Sequence, residues 1–98
     1  MSQRYNIALV GATGNVGREM LQILDQRSFP VNEIYCLASS RSKGTKLEFN
    51  KKEIVVEDLS EFDFSKVHIG LFSPGGKVSA EYAPKAVSQG CLVIDNTS

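Results

Sequence analysis

A chain of 98 residues, 42% hydrophobic and 22% charged, has the length and composition of one globular domain. Eleven basic residues balance eleven acidic ones, so no charge field covers the surface to attract nucleic acid or an anionic membrane, and any anion site must be local. No apolar stretch approaches the roughly 18 residues that a bilayer-spanning helix needs.

The first segment, Tyr5-Asn6-Ile7-Ala8-Leu9-Val10, is a short apolar run suited to a strand buried on both faces. Met1-Ser2-Gln3-Arg4 leads straight into it, so no signal peptide is expected. Gly11-Ala12-Thr13-Gly14 breaks the run. From Asn15 the apolar period changes: Val16, Met20, Leu21 and Leu24 fall at helical spacing opposite Arg18, Glu19 and Gln22, and the helix should fade near Gln26. Residues 34–38, Ile-Tyr-Cys-Leu-Ala, are a second buried strand, which completes a β-α-β unit whose crossover should be right-handed. Residues 46–50 and 53–57 flank Lys51-Lys52 as the arms of a charged antiparallel hairpin, an edge or excursion rather than a sheet centre. Residues 58–66 read as an acidic, loop-like stretch holding Phe62 and Phe64. Residues 68–72 are the third core strand, stopped by Ser73-Pro74-Gly75-Gly76. A helix should start at about Val78, because Val78, Tyr82, Ala83, Ala86 and Val87 share one face; Pro84 inside that pattern predicts a kink or a broken first turn. Gly90 is placed as its C-terminal cap, and Leu92-Val93-Ile94 is the fourth strand. Strands alternating with helices through short turns define an α/β fold, a Rossmann-like parallel sheet with flanking helices.

Gly11-Ala12-Thr13-Gly14-Asn15-Val16-Gly17 is a Gly-x-x-Gly-x-x-Gly turn between a strand and a helix. Gly11 permits the tight turn, Gly14 lets a diphosphate approach the backbone, and Gly17 lets the helix pack close to the strand. The N–H groups of Thr13 to Val16 then face the anion with the helix dipole behind them. A glycine-rich turn required only for packing is the competing reading.

The end of the second strand says more. Strands at this place in NAD-binding folds end in Asp or Glu, which accepts from the ribose hydroxyls. Here the chain reads Ala38-Ser39-Ser40-Arg41-Ser42-Lys43-Gly44, with no acid between Glu33 and Glu48. A carboxylate there repels a 2′-phosphate, whereas a guanidinium and hydroxyls donate to it. Arg41 and Ser42 are therefore the expected NADP-selective contacts, supported by Ser39 and Ser40; a solvated polar loop is the alternative. Ser73, Gly75 and Gly76 lie on the same sheet edge and are candidates to pass under the diphosphate or nicotinamide ribose, or form a plain turn. Asn96, Thr97 and Ser98 reach that edge too.

No catalytic or metal-binding residue is expected within the chain. His68 heads a strand without a partner at hydrolase or metal spacing. Cys36 and Cys91 sit in or beside apolar runs, outside any Cys-x-x-Cys pair or metal pattern and with no activating base nearby, as reduced structural thiols of a cytoplasmic protein.

Three stretches, Gly11 through Gly17, Ser39-Ser40-Arg41-Ser42-Lys43-Gly44, and Tyr82-Ala83-Pro84-Lys85-Ala86 through Val93-Ile94-Asp95-Asn96-Thr97-Ser98, resemble the N-terminal domain of aspartate-semialdehyde dehydrogenases. The resemblance covers essentially the whole chain, and the second and third stretches are its specific part. It implies an NADP-binding domain over 1–98, truncated before a catalytic and dimerisation domain. It further implies that the whole enzyme reduces β-aspartyl phosphate to aspartate β-semialdehyde with NADPH and releases phosphate, on the route to lysine, threonine, methionine and isoleucine. In that family a thioester-forming cysteine, an acid–base histidine and the arginine that binds substrate phosphate all lie beyond the position of Ser98, and the full-length enzyme is expected to be a homodimer. By the same resemblance, Thr13, Gly14, Asn15 and Val16 hold the diphosphate, and Arg41 and Ser42 the 2′-phosphate. Pro74 departs from the small residue expected at its position, which bears on the contacts of that loop. Two other readings share the first motif: an N-acetyl-γ-glutamyl-phosphate reductase domain, which matches residues 39–44 and 82–98 less well, and a non-enzymatic NADP-sensing module.

Overall fold

The computed structural model describes residues 4–27, 30–73 and 76–95. Its centre is the first apolar run. Tyr5–Val10 is strand β1, and Ile7, Ala8, Leu9 and Val10 are each at most 1% exposed, because the strand has a covered face on both sides. Helix α1 (Asn15–Gln26) follows, then β2 (Val31–Ala38), three residues longer at its start than the apolar run suggested. Its extra residues Asn32 and Glu33 are exposed, which hid them from a reading based on hydrophobicity. Strand β6 (Ile69–Phe72), helix α2 (Gly76–Ser88) and β7 (Leu92–Asp95) complete the second half.

Between the halves, β3 (Lys46–Phe49) and β4 (Lys52–Val55) form an antiparallel hairpin separate from the main sheet. Its turn is Asn50-Lys51, one residue earlier than the lysine pair implied, with φ of 52° and 66° as a type I′ turn requires. Leu47 and Phe49 point into the core while Lys46 and Glu48 stay exposed.

The stretch taken as a loop over 58–66 is corrected by the structure. Glu57–Asp58 is a short strand, β5, pairing in parallel with the end of β2, Leu37 opposite Glu57 and Ala38 opposite Asp58. Two 3-10 turns follow, Leu59–Glu61 and Phe64–Lys66, each capped by an aspartate: Asp58 accepts from the Ser60 amide at 2.9 Å, and Asp63 from the Ser65 amide at 3.0 Å. Phe62 and Phe64 are buried there and join Tyr35 and Phe72 in a run of ring contacts with centroids 5.2 to 6.0 Å apart.

The main sheet has the order β5-β2-β1-β6-β7, with every pair parallel. From β1 the chain moves outward through β2 to β5, returns beside β1 as β6, and moves the other way to β7. The order reverses between β1 and β6, the place where doubly wound sheets bind ligands beyond their carboxyl ends. One face of the sheet packs Ile7, Leu9, Cys36 and Leu71 against α1 and the hairpin; the other packs Ala8, Val10, Leu37 and Phe72 against α2 and the 3-10 turns.

Helix α2 begins at Gly76, before Val78, and continues through Pro84, where a kink or a broken first turn was expected. Pro84 removes one helical hydrogen bond, a cost of about 3 kcal/mol in a helix interior, and burial of Ala86 with the packing of Val78, Tyr82 and Ala83 offsets it. The helix stops as the glycine implied: Gly90 has φ +91°, its amide donates to Val87 O at 3.0 Å, and Cys91 donates to Ala86 O at 3.0 Å, a Schellman closure.

Candidate functional site

The three glycines of the first turn have separate physical reasons. Gly11 has φ +84°, a conformation that other residues adopt at a cost, and its amide donates to Leu37 O at 2.9 Å, fastening the turn to β2. Gly17 is a packing requirement: a Cβ there would lie 2.1 Å from Gly11 O and 2.9 Å from Ala12 Cα. Gly14 is different. It caps α1 in an extended conformation, φ −77° and ψ 168°, and a Cβ would meet only Gly11 O at an ordinary 3.5 Å. Among the described residues no contact demands glycine at 14, where the turn opens outward.

That side is prepared for an anion. No side chain caps α1, its first turn holds no acidic residue, and among the described residues the amides of Asn15 and Val16 find no acceptor. Val16, in the first turn beside these amides, is itself 43% exposed. The Arg18 side chain donates to Thr13 O at 3.1 Å and holds the turn from behind.

The 3-10 turn Ser40–Ser42 brings the second predicted cluster to the same place. Thr13 Oγ1 lies 3.4 Å from Ser42 Oγ, too long to contribute much energy but sufficient to show that the glycine turn and the serine-arginine turn adjoin. Arg41 is exposed, and no carboxylate pairs with it among the described residues. Lys43, two residues on, is already paired with Glu61 at 3.4 Å.

An open cleft of about 450 Å³ runs along the carboxyl ends of β1, β2 and β5, bordered by Gly11, Thr13, Ser39 and Ser40. Its other wall is Asp58 and Ser60 with Glu81 and Tyr82 of α2, and Val78 with the edge of Leu59 supplies apolar surface. None of these opposite-wall residues was a site candidate in the sequence, where Val78 and Tyr82 were expected only on a helix face. The repeated Asp-x-Ser pattern at 58–60 and 63–65 was a usable sign of capped turns, but a two-residue strand gives no periodicity to find.

Ser73 follows β6, and its hydroxyl donates to Val10 O at 3.0 Å. Its proton is spent joining β6 to β1, which leaves only acceptor lone pairs for a ligand. Gly76 is the first residue of α2 at the same sheet edge; Gly75 and residues 96–98 fall outside the described residues.

His68 and the cysteines stand apart from the cleft. His68 precedes β6 at the opposite sheet edge, where its Nδ1 accepts from the Asn6 amide at 2.9 Å. Cys36 is fully buried, and burial, with the Glu57 charge as a lesser cause, pushes its thiol up to about 12. Burial also raises the Cys91 thiol. Thiol titration of the folded protein at neutral pH should find both slow, because the reactive species is the thiolate; either reacting faster than a free thiol would contradict their structural role. Among the described residues no cluster of His, Cys, Asp or Glu could hold a metal ion, and no helix is long and apolar enough to cross a membrane.

A parallel sheet with this strand order, a glycine turn at its reversal point and an uncapped helix start define a dinucleotide-binding domain of the Rossmann class. Comparison with known proteins makes that specific. The model for the semialdehyde dehydrogenase NAD-binding domain matches residues 6–98, and this chain belongs to that family. An aspartate-semialdehyde dehydrogenase of Legionella pneumophila is 58% identical over all 98 residues, which make up 28% of that protein. Aspartate-semialdehyde dehydrogenase 2 of Vibrio cholerae is 54% identical, with 29% of its length covered. The crystal structure of the Vibrio cholerae enzyme II complexed with ASA superposes with a TM-score of 0.96 at 53% identity, over 98% of this chain and 31% of that one. The chain thus spans less than a third of the relatives it matches.

Proposed function

We propose that this chain is the NADP-binding part of an aspartate-semialdehyde dehydrogenase, holding the reductant while β-aspartyl phosphate is reduced to aspartate β-semialdehyde and phosphate leaves. The observation that carries the reading is the junction of two anion-receptive turns: the uncapped start of α1 after Gly14, and the Ser40–Ser42 turn with Arg41, which no carboxylate pairs among the described residues. The backbone amides of Asn15 and Val16 receive the diphosphate, and Arg41 and Ser42 donate to the 2′-phosphate, with Ser39 and Ser40 along the ribose. When bound, the dinucleotide supplies the hydride; the residues of this chain bind and orient it. Neither cysteine serves as the acyl-accepting nucleophile, since both are buried with raised thiol pKa values at a distance from the cleft edge. The nucleophile, the acid–base group and the substrate-phosphate site then belong to residues outside 1–98.

Two measurements on this chain test the reading together. Calorimetric titration should show NADPH binding. An assay with aspartate semialdehyde, phosphate and NADP should show no NADPH formation above a no-protein control. Absence of NADPH binding, or turnover by these 98 residues, would contradict it.

A further inference from the structure

The cleft has a wall that the phosphate contacts do not use. Asp58 stands there at the end of β5, beside Ala38 and across from Ser39 and Ser40. One of its oxygens, Oδ1, accepts both Ser60 donors, the amide at 2.9 Å and the hydroxyl at 2.8 Å, which fixes the side chain. The other, Oδ2, has no partner among the described residues. Those same Ser60 hydrogen bonds hold the carboxyl below its usual range, so it is ionised at neutral pH and only accepts. Glu81 adds a second negative charge to the cleft, while Val78, with the edge of Leu59, provides apolar surface for a flat ring.

Resting on the dinucleotide reading above, we propose that Asp58 recognises the base: its Oδ2 accepts a hydrogen bond from the exocyclic amine of adenine, so that the cleft selects a 6-aminopurine over a 6-oxopurine. The amine of adenine carries only donors toward a carboxylate. The carbonyl that replaces it in hypoxanthine presents lone pairs to the same oxygen and is repelled. The acidic wall also orients the ligand, because phosphates are disfavoured beside Asp58 and Glu81 and favoured at Arg41 and the α1 amides.

The test is calorimetric titration of NADPH and its deamino analogue, in which hypoxanthine replaces adenine. The protein should bind NADPH about tenfold more tightly than the analogue, the scale of one hydrogen bond to a charged group. In Asp58→Asn, which keeps an oxygen for Ser60 but gains an amide donor, the ratio should fall to about twofold or less. Equal binding of the two dinucleotides by the unaltered protein would overturn the proposal without any variant, and so would a tenfold ratio that survives in Asp58→Asn. Arg41→Ala should weaken both dinucleotides equally, which keeps the base and phosphate contacts separable. If the unaltered protein bound neither, the dinucleotide reading itself would fall and this proposal with it.

Discussion

Gly17→Ala should destabilise this protein by about 3 kcal/mol, the upper end of the usual cost of overpacking, whereas Gly14→Ala should leave the fold standing and impair binding. The two glycines sit three residues apart in one motif, yet their surroundings differ. An added methyl at 17 meets backbone on the facing turn at 2.1, 2.8 and 2.9 Å, and backbone cannot swing aside as a flexible side chain can. Relief requires α1 to move away from the turn, which also disturbs its packing through Leu21, Met20 and Leu24. At 14 the backbone is extended and the nearest atom is at 3.5 Å, so the fold loses less than about 1 kcal/mol, the difference between glycine and alanine at a helix start. On the proposed function the diphosphate approaches this turn, so NADPH affinity should fall roughly tenfold or more as the added methyl costs a charge-assisted contact. Urea unfolding and calorimetric titration of both variants separate the effects. Equal stability losses, or unimpaired NADPH binding by Gly14→Ala, would mean that the turn is glycine-rich for packing alone.

The same contrast explains what could be read from the sequence. β1, α1 and the glycine turn were legible because each has its own periodic or conformational signature: an unbroken apolar run, a 3.6-residue apolar stripe, and a glycine that proves to have φ +84°. Gly90 was legible for the same reason, since only a left-handed residue closes that helix. β5 was not. Two residues, Glu57 and Asp58, carry no alternation, and their strand character comes entirely from pairing with Leu37 and Ala38, residues 20 positions earlier. Phe62 and Phe64 followed the same rule, looking like ornaments of an acidic loop until that pairing set them against Tyr35 and Phe72. Pro84 shows the converse, a residue that locally disfavours helix held inside an unbroken helix by the burial around it.

Half of the candidate site followed this pattern. One part is built from backbone and short turns next to their own strands, and the sequence offered it as two clusters, one around Gly14 and one around Arg41. That they adjoin, through Thr13 and Ser42, is a product of the β1–β2 register. The other wall of the cleft depends on β5 and on where α2 lies, so Asp58, Glu81 and Tyr82 came together only in three dimensions.

Cofactor choice is the central claim, and it rests on Arg41. The residue sits in a hydrogen-bonded turn, with Ser42 N donating to Ser39 O at 2.9 Å, and its guanidinium is exposed with no carboxylate paired to it among the described residues. The end of β2 carries no acid to favour a bare ribose hydroxyl. A hydrogen bond to a charged group is worth roughly 1.5–3 kcal/mol, and each 1.4 kcal/mol is a factor of ten in affinity. Arg41→Ala should therefore weaken NADPH binding by about 10- to 150-fold, and because Arg41 is exposed and packs against nothing in the core, stability should be unchanged. NADH has no 2′-phosphate, so its affinity should hardly move. An arginine stacked on adenine would behave otherwise, since both dinucleotides carry the same base. Calorimetric titration of NADPH and NADH into the unaltered protein and Arg41→Ala is the decisive measurement: a loss confined to NADPH is the expected result, and equal losses for both, or none for either, would contradict the 2′-phosphate role of Arg41.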